Sequence, residues 1–427
     1  MQPTARSVRA VNRLTARWAR SQTGPDGSVF SATSLWPPLA FLADAAGGPA
    51  RTELEDAVGL PADEAAEAAR GFLEAVGSIR GMRAALGLWT RATLPLHARW
   101  TARLPAKTTG TFSGDAAADR RTLDAWVQEC TGGLIRTMPV VMDDETELVL
   151  AAAQTVRTRW LQPFHETETV PDSGPWQGRY LLGLRRTTSL PGRVAVTETP
   201  DGPLTVLKVL GDTGVDIHLV MGAPAMTPAQ VLCHGIGTLS SGAGALVPGD
   251  RLPLGAAGPG LRVSTERSCT PEPLLDVRTV PFRIEADHDL LARPALFGLS
   301  TATDRSRGHF PGIGPKPLAI GSARQAALAV FDAEGFESAS VTAFGAVGAG
   351  MPPPPRHTVR RIEAVFDRPF GFLTVHRTSR LVLTAGWVAE PVLLEHHEDD
   401  AEDAEDGRDG RHGQDGAQDA ARNGDMT

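Results

Sequence analysis

Residue types that usually carry chemistry are present in this chain but scattered. The serines, histidines and aspartates form no nucleophile motif such as G-x-S-x-G, and His218 and His288 are isolated in the sequence. The glycine-rich stretch 235–258 contains neither a dinucleotide fingerprint nor a phosphate-binding loop. His396 and His397 have the types of metal ligands, but they begin an acidic tail of low hydrophobicity, which is typical of disordered chain. We therefore expect no catalytic site, no metal site and no cofactor.

The most informative segment instead follows a strong strand pattern that ends at Glu334–Gly335. A run of mostly small, strand-capable residues comes next, and the following strong strand pattern begins only about 25 residues later. Loops of that length without secondary structure are uncommon in compact domains, and they are usually functional or disordered. The sequence thus predicts a long exposed segment held between two strands.

Composition and charge limit the function classes. The 427 residues are 41% hydrophobic and 22% charged, which is ordinary for a globular protein with a sizeable core. Twelve of the 50 acidic residues and three of the 42 basic ones lie in 395–427, so the body before it carries 38 acids and 39 bases. A neutral body with an acidic tail argues against nucleic-acid binding. The excess of arginine over lysine, with much Ala, Gly and Pro, suggests a GC-rich bacterial source.

The cysteines and the N-terminus add expectations about compartment. Cys130, Cys233 and Cys269 are odd in number and far apart, so they predict neither a disulfide framework nor a zinc site. The first residues lack the continuous apolar core of a signal peptide, and no stretch is long and apolar enough to span a membrane. The sequence by itself therefore points to the cytoplasm, without membrane contact.

The elements that must position the loop are helices first and strands later. Residues 1 to about 160 show helical patterns, including an apolar helix 35–46 with Ser34 as the expected N-cap and Gly47–Gly48 as its end. Segments 205–210 and 215–221 predict a hairpin, and 275–284 alternates as one strand. This order favours an α+β fold with one large sheet and helices packed on it.

Several short segments stand in a distinctive order along the chain. They are 29–34, Asp124-Ala-Trp-Val127 with Thr131–Ile135, Trp160 with Pro163–Phe164, 280–284 with 297–299, Glu334–Gly335, Asp367–Phe370 and 386–391. Each alone is weak, but in their order and spacing they resemble the serpin family, and the resemblance covers residues 7 to 393. It implies about eight or nine helices, a large antiparallel or mixed central sheet with smaller sheets, and an exposed reactive loop.

The resemblance implies a serine protease inhibitor that is consumed in one reaction. A protease cuts the loop, and the N-terminal part of the loop enters the main sheet as an extra strand. In such a strand the side chains of Phe336, Ser338, Ser340 and Thr342 would point into the core. Members that inhibit resemble one another in a small residue at the first of these positions, so we expect the bulk of Phe336 to slow insertion, and Phe336→Thr to improve inhibition. The hinge implied by the resemblance comprises Glu334, Gly335, Phe336, Glu337, Ser338, Ala339, Ser340, Val341 and Thr342.

The resemblance also marks residues that control the opening of the sheet. Ser31 and Ser34 match serines of the family, and Trp160 matches a tryptophan at the top of the sheet. The family's bridging Asn and His correspond by spacing to Ala152 and Gln325. This departure predicts a reduced or rewired polar network.

The scissile bond and the partner follow from the same spacing. The resemblance implies, by the family's spacing from the hinge glycine, a cut at Ala349–Gly350, where a small residue would suit an elastase-like or subtilisin-like serine protease; a cut elsewhere, or none, stays open. The runner-up is Arg356–His357, which would suit a trypsin-like protease but would place four prolines in the inserting segment.

We expect a serpin domain at 1–394 with its reactive loop at about 335–360, a disordered acidic tail at 395–427, and a monomer. The alternative to an inhibitor is a non-inhibitory serpin-fold binding or scaffold protein. The resemblance would also allow secretion, against the cytoplasmic location that the sequence suggests.

Overall fold

The computed structural model describes residues 2–22, 24–105, 108–138, 140, 146–240, 246–336 and 355–394. The compact unit spans Met1–Leu393. Most of the predicted reactive loop and the whole tail 395–427 lie outside the described residues. Within the described ranges, no helix is both long and apolar enough to cross a membrane, and no cluster of three or more His, Cys, Asp or Glu side chains could hold a metal ion.

Helices occupy the first third of the chain and recur near the sheets. The helix α1 shows why: its apolar side chains recur at helical spacing and are buried, whereas its arginines face outward. The helices of the described residues are α1 (Ala5–Arg20), α2 (Ala32–Ala45), α3 (Gly48–Val58), α4 (Ala62–Gly77), α5 (Ala98–Thr101), α6 (Ala116–Thr131), α7 (Pro228–Ser240) and α8 (Pro294–Phe297).

The boundaries of α2 correct two predictions. Its N-cap is Ser31 rather than Ser34, because Ser31 is extended and its hydroxyl accepts the amide hydrogen of Ser34, which lies in the first turn (3.2 Å). The helix ends before Gly47, and Gly48 already opens α3. The two glycines therefore start the next helix, with Gly47 as its N-cap, instead of closing α2.

Strands dominate from residue 148 onward, as the texture of the sequence predicts. The strands are β1 (Ser28–Phe30), β2 (Met82–Arg91), β3 (Thr109–Phe112), β4 (Leu148–Val156), β5 (Thr158–Arg159), β6 (His165–Thr169), β7 (Leu181–Thr188), β8 (Val194–Thr199), β9 (Gly202–Leu210), β10 (Val215–Gly222), β11 (Val247–Pro248), β12 (Gly255–Gly258), β13 (Leu261–Ser268), β14 (Leu274–Thr279), β15 (Phe282–Asp289), β16 (Arg324–Phe331), β17 (Gly335–Phe336), β18 (His357–Val365), β19 (Phe370–His376) and β20 (Val382–Val388). The predicted hairpin is β9–β10.

Within the described part of the chain, four hydrogen-bonded arrays make up the sheets. One has seven strands in the order β1-β20-β19-β10-β9-β8-β11, and a second has six in the order β12-β13-β18-β14-β7-β6. The other two are β15-β16-β17-β5 and β3-β2-β4. Only Arg157 separates β4 from β5 in sequence, so these last two arrays are the parts of one larger main sheet. Most pairs are antiparallel, but β2–β3 and β14–β18 are parallel, which makes this an α+β fold with mixed sheets.

The segment 275–284 is two strands and not one, which corrects another prediction. The strand β14 ends at Thr279 in the six-stranded array, and β15 begins at Phe282 in the main sheet. Pro281 has no amide hydrogen for a ladder, and it falls where the chain passes between the two sheets. The alternation of the sequence is real, but it belongs to two different sheets.

The core has two large parts. One lies around α1, α2 and α4 and the strand ends that they cover. The other lies between the sheets and contains the aromatic residues that surround the head of the opening in the main sheet, including Trp160, Phe164, Phe331, Phe336 and Phe372. The second part positions the segment that the sequence marks as a hinge.

Candidate functional site

The main sheet is open between β4 and β16. In the described residues β4 pairs with β2 only, and β16 pairs with β15 along its length but with β17 at a single position. Both facing edges therefore carry backbone N–H and C=O groups without a ladder partner, which a buried strand edge normally has to satisfy. The arrangement leaves room for one more strand.

The opening is a cavity with mixed apolar and polar walls. Its main part has a volume of about 400 Å³ and runs between the start of β4 and the start of β16, with the side chains of α2 as its floor. A smaller part of about 40 Å³ continues between 152–155 and 326–328, toward the head of the sheet. The walls of the main part include Ser34, Leu35, Leu39, Leu150, Ala152, Phe310, Ile313 and Gln325.

The hinge closes the head of this opening as a two-residue strand. Gly335 pairs with Arg159 of β5, and Phe336 pairs both with Thr158 of β5 and with Phe331 of β16. A tight turn delivers it: the carboxylate of Asp332 accepts the amide hydrogens of Glu334 (2.9 Å) and Gly335 (2.8 Å). The hinge thus already occupies the first positions of the missing strand.

Phe336 points into the core, on the face that the alternation of the strand predicts. Its side chain is only 1% exposed, and its ring lies 6.5 Å from that of Phe372. Because the aromatic pocket is already filled by this ring, Phe336 needs no further movement to enter the sheet. The expectation that its bulk slows insertion stays a prediction.

Three of the predicted sheet-opening residues form one hydrogen-bonded network. Gln325 accepts the amide hydrogen of Ser31 (3.0 Å) and donates to the carbonyl of Ser31 (2.8 Å) and the hydroxyl of Ser34 (2.9 Å). The hydroxyl of Ser31 donates in turn to the carbonyl of Leu383 (2.7 Å). The network ties β16 to the start of α2 and to β20, and the carbonyl of Leu383 extends it to Gln154 on β4.

The other two predicted residues lie on the opposite side and at the head. Ala152 lines both parts of the opening from β4, and its methyl group can make no hydrogen bond across it. Trp160 is buried above the opening, where its indole N–H donates to the carbonyl of Asp332 (2.9 Å) and its ring lies 4.9 Å from that of Phe331. Trp160 therefore supports the turn that delivers the hinge.

Gln154 was missed in the sequence reading. Its amide nitrogen donates to the carbonyl of Leu383 (3.1 Å), the same carbonyl that Ser31 uses, and its side-chain oxygen is buried without a hydrogen-bond partner among the described residues. Gln154 is two residues from Ala152 on β4, so strand alternation places both on one face of the sheet. The separation of two residues from Ala152 was the feature of the sequence that could have identified Gln154.

The two candidate scissile bonds differ in their setting. Glu337, Ser338, Ala339, Ser340, Val341 and Thr342 of the hinge, with Ala349 and Gly350, lie outside the described residues. The runner-up Arg356–His357 does not: the amide of Arg356 donates to the carbonyl of Ser268 (3.0 Å), and His357 pairs with Ser268. A protease needs free extended backbone around the bond it cuts, and here the ladder with β13 already occupies that backbone.

The strand that follows the loop is held on both sides. β18 pairs with β13 from Leu261↔Ala364 to Ser268↔His357, and with β14 from Leu274↔Arg361 to Arg278↔Val365. Across the outer face of this array, the buried carboxylate of Asp276 accepts hydrogen bonds from Arg185 (2.9 Å) and Arg361 (3.0 Å). Burial raises the pKa of Asp276, but hydrogen bonding and charge from the arginines outweigh it and hold the pKa below its usual value.

A main sheet with a vacant strand position, a hinge at its head and a long connection to the strand that follows define the serpin fold. Comparisons with known proteins agree with this description of the fold. The model of the family described as Serpin (serine protease inhibitor) matches residues 11–173. A rice protein (Oryza sativa subsp. japonica) that carries the name serpin-Z6C is 25% identical, over 91% of this chain and 96% of its own length.

Solved structures show the same fold. Thyroxine-binding globulin in complex with thyroxine aligns with a TM-score of 0.67 and 17% identity over 90% of this chain and 99% of its own. Cleaved Serpin 42Da aligns with a TM-score of 0.68 and 17% identity over 92% and 100%. The chain is therefore similar to serpins in sequence over residues 11–173 and shares their fold. The curated relatives are plant proteins and give no support to a bacterial source.

Proposed function

We propose that this protein is a serine protease inhibitor that is consumed in the act of inhibition. The observation that carries the proposal is the vacant strand position between β4 and β16, with the hinge already paired at its head. The residues after Phe336 need only continue the same strand downward to fill it. The neighbouring edges and the cavity of about 400 Å³ receive that strand.

The chemistry belongs to the protease, and this chain supplies the substrate bond and the fold change. The protease serine attacks the carbonyl carbon of Ala349, the peptide bond to Gly350 breaks, and the leaving amine takes the proton from the serine through the protease base. The chain up to Ala349 is then joined to the protease as an ester. The cut end of the loop then inserts into the main sheet and carries the attached protease with it before water hydrolyses the ester.

Insertion is driven by the open edges. Each new ladder hydrogen bond contributes about 1 kcal/mol net, and a strand that pairs with both β4 and β16 makes roughly ten of them, so the gain is roughly 10 kcal/mol before apolar burial is counted. Phe336 adds no cost, because its side chain is only 1% exposed before any insertion. The hydrogen bonds of Gln325 itself run to Ser31 and Ser34 at the start of α2 and use no backbone group of β4.

We propose an elastase-like or subtilisin-like protease as the partner and Ala349–Gly350 as the bond. A small residue before the cut suits the narrow pocket of such proteases. The alternative bond at Arg356–His357 is engaged with β13 at Ser268. We propose that the protein acts as a monomer.

The first test is thermal unfolding before and after a single cut by a subtilisin-like protease, with the cut mapped by mass. Insertion raises the midpoint by roughly 10 °C or more for a gain of this size. Two matched variants sharpen the test: Ser340→Arg places a charge on the inward face of the new strand, whereas Ala339→Arg places it outward. The shift disappears in the first variant and persists in the second. A midpoint that does not move after the cut in the unmodified protein would contradict the proposal.

A serpin-fold binding or scaffold protein is the second candidate. The observation that favours it is the firm seating of Phe336, which fixes the hinge in the aromatic core without any cut. This candidate predicts that the protease cuts the loop as an ordinary substrate. The cut protein would then unfold at the same temperature, and no complex resistant to denaturant would form with the protease.

A further inference from the structure

Arginines are concentrated on the surface at the head of the main sheet. They lie on the turn that precedes β2, at the start of β2 and around β5, and all of them are exposed. Among the described residues none of these arginines makes an ion pair, whereas Arg185 and Arg361 of the six-stranded array share the carboxylate of Asp276. We call the four residues the arginine cluster: Arg80, Arg83, Arg157 and Arg159.

Hydrogen bonds hold the segments of the arginine cluster together. The amide of Arg157 donates to the carbonyl of Gly81 (2.7 Å), which brings the end of β4 against the turn that carries Arg80. The amide of Arg159 donates to the carboxylate of Asp212 (3.1 Å). The guanidinium group of Arg80 donates to the main-chain carbonyl of the same Asp212. The turn between β9 and β10 is therefore the common support of both segments.

Two of the side chains meet beside the end of α6. Nη1 of Arg83 lies 3.7 Å, and Nη2 of Arg157 lies 3.8 Å, from the position that a Cβ atom on Gly132 would take. The two guanidinium groups are therefore neighbours. Arg83 is paired with Thr155 across the strands, and strand alternation continues that face through Arg157 to Arg159. Three of the four arginines thus follow one another along the solvent face of the sheet.

The acidic side chains around the cluster do not neutralise it. Asp212 faces it from the β9–β10 turn, but its carboxylate accepts the amide of Arg159 and lies 3.4 Å from the hydroxyl of Thr158. Glu129, in the last turn of α6, makes no ion pair with an arginine in the described part of the chain. The positive charges of the cluster therefore remain available to a ligand.

The end of α6 explains only part of the cluster. A helix C-terminus attracts cations, which accounts for Arg83 and Arg157 beside Gly132. Arg80 and Arg159 are supported instead by the β9–β10 turn. Four like charges at short distances repel one another, so a ligand with several negative charges would be attracted to this surface.

We propose that the arginine cluster binds an extended acidic segment of a partner protein. Alternate side chains on one face of a strand are about 6.7 Å apart, and this is the expected spacing of Arg157 and Arg159. An extended peptide with Asp or Glu at every second residue has the same spacing. Its carboxylates can therefore meet successive guanidinium groups, each in a two-pronged hydrogen-bonded pair.

A short acidic segment fits this surface better than a long polyanion does. The chain before residue 395 carries 38 acids and 39 bases, so a net positive surface does not extend far beyond the cluster. A nucleic acid or a sulfated polysaccharide gains affinity from many basic contacts along its length. The proposal goes beyond protease inhibition and does not depend on it.

The experiment measures binding of a fluorescein-labelled peptide of four Glu-Thr repeats to the full chain by fluorescence anisotropy at low ionic strength. We expect saturable binding that weakens as salt is added, because exposed ion pairs are screened. A peptide with four consecutive glutamates followed by four threonines has the same charge, but half of its carboxylates face away when it is extended. It should bind at least about threefold more weakly. A peptide of four Gln-Thr repeats should not bind, and equal binding of all three peptides would contradict the proposal.

Two double variants make the result specific. Arg157→Gln with Arg159→Gln removes two charges of the cluster and should weaken binding about tenfold. Arg9→Gln with Arg262→Gln is the matched control, because these arginines are exposed on α1 and β13, and it should leave the affinity unchanged. Thermal unfolding of each variant verifies that the fold is retained.

Three results would overturn the proposal. The first is the absence of saturable peptide binding, and the second is equal weakening in both double variants. The third is a sulfated polymer, dextran sulfate, that binds through Arg157 and Arg159 while the acidic peptide does not. That third result would assign the cluster to a polysaccharide instead of a protein.

Discussion

Replacing Phe336 by threonine tests whether the hinge is seated before any protease acts. The ring is 1% exposed and fills a pocket that also contains Phe372. Removal of a buried phenylalanine side chain costs about 3–5 kcal/mol, and threonine also places a hydroxyl group where no water can reach it. We expect Phe336→Thr to lower the free energy of unfolding of the intact protein by about 4 kcal/mol.

The same substitution has a second consequence that separates two mechanisms. If the ring occupies its pocket in both the intact and the cut protein, both forms lose stability by similar amounts. The number of inhibitor molecules consumed per protease molecule then does not fall. If the ring entered its pocket only during insertion, only the cut form would lose stability, and threonine would speed insertion as the sequence alone suggested.

The assay is urea unfolding of the intact and the cut protein, followed by titration of the protease. Phe336→Leu is the conservative companion and should cost about 1 kcal/mol. Leu161→Thr is the control near the head of the sheet, because Leu161 is 59% exposed and its replacement should change stability by less than about 0.5 kcal/mol. An intact Phe336→Thr protein as stable as the unmodified one would refute the reasoning.

Three further predictions concern the buried polar groups. Gln325→Ala removes the acceptor of the buried Ser31 amide and one of the donors to the Ser31 carbonyl, and it should lower the free energy of unfolding by about 2 kcal/mol in urea titrations. Burial lowers the pKa of His218 to about 4. Because the histidine of the unfolded chain takes up its proton at a higher pH, the contribution of His218 to the free energy of unfolding is complete above pH 6.5 and should fall by about 3 kcal/mol toward pH 4. His218→Gln should abolish this loss. Asp276→Asn removes the charge that Arg185 and Arg361 share and should cost about 2 kcal/mol, whereas Glu285→Gln, in an exposed pair, should cost less than about 0.5 kcal/mol by thermal unfolding.

The elements that short-range patterns determine were predicted well. The hairpin β9–β10 is one example, because its turn Gly211–Gly214 and the two apolar runs are contiguous in sequence. The interruption at Pro281 was missed, since alternation continues through it and only the sheets on either side reveal the break. The N-cap of α2 was misplaced by three residues, because two serines with suitable spacing compete for that role.

The site was predictable in position but not in its contacts. Spacing along the chain located Gln325 and Ala152 on opposite sides of the opening, yet nothing local shows that Gln325 bonds to Ser31, 294 residues away. The seat of Phe336 depends in the same way on Phe372 and Thr158, which are remote in sequence. Long-range packing of this kind decides whether a bulky residue is an obstacle or a fixed part of the core.

The two ladders of β18 determine how long the open sheet can last. Under the proposed mechanism, an uncut loop that descended between β4 and β16 would pull on the start of β18, which would have to separate from β13 at His357 and, from Arg361 onward, from β14 as well. Because these ladder hydrogen bonds would have to break for the uncut loop to insert fully, we expect the lifetime of the intact form to be set by a rate and not by an equilibrium. Ageing in storage should therefore be slow, and a cut in the loop removes the barrier because β18 no longer has to move.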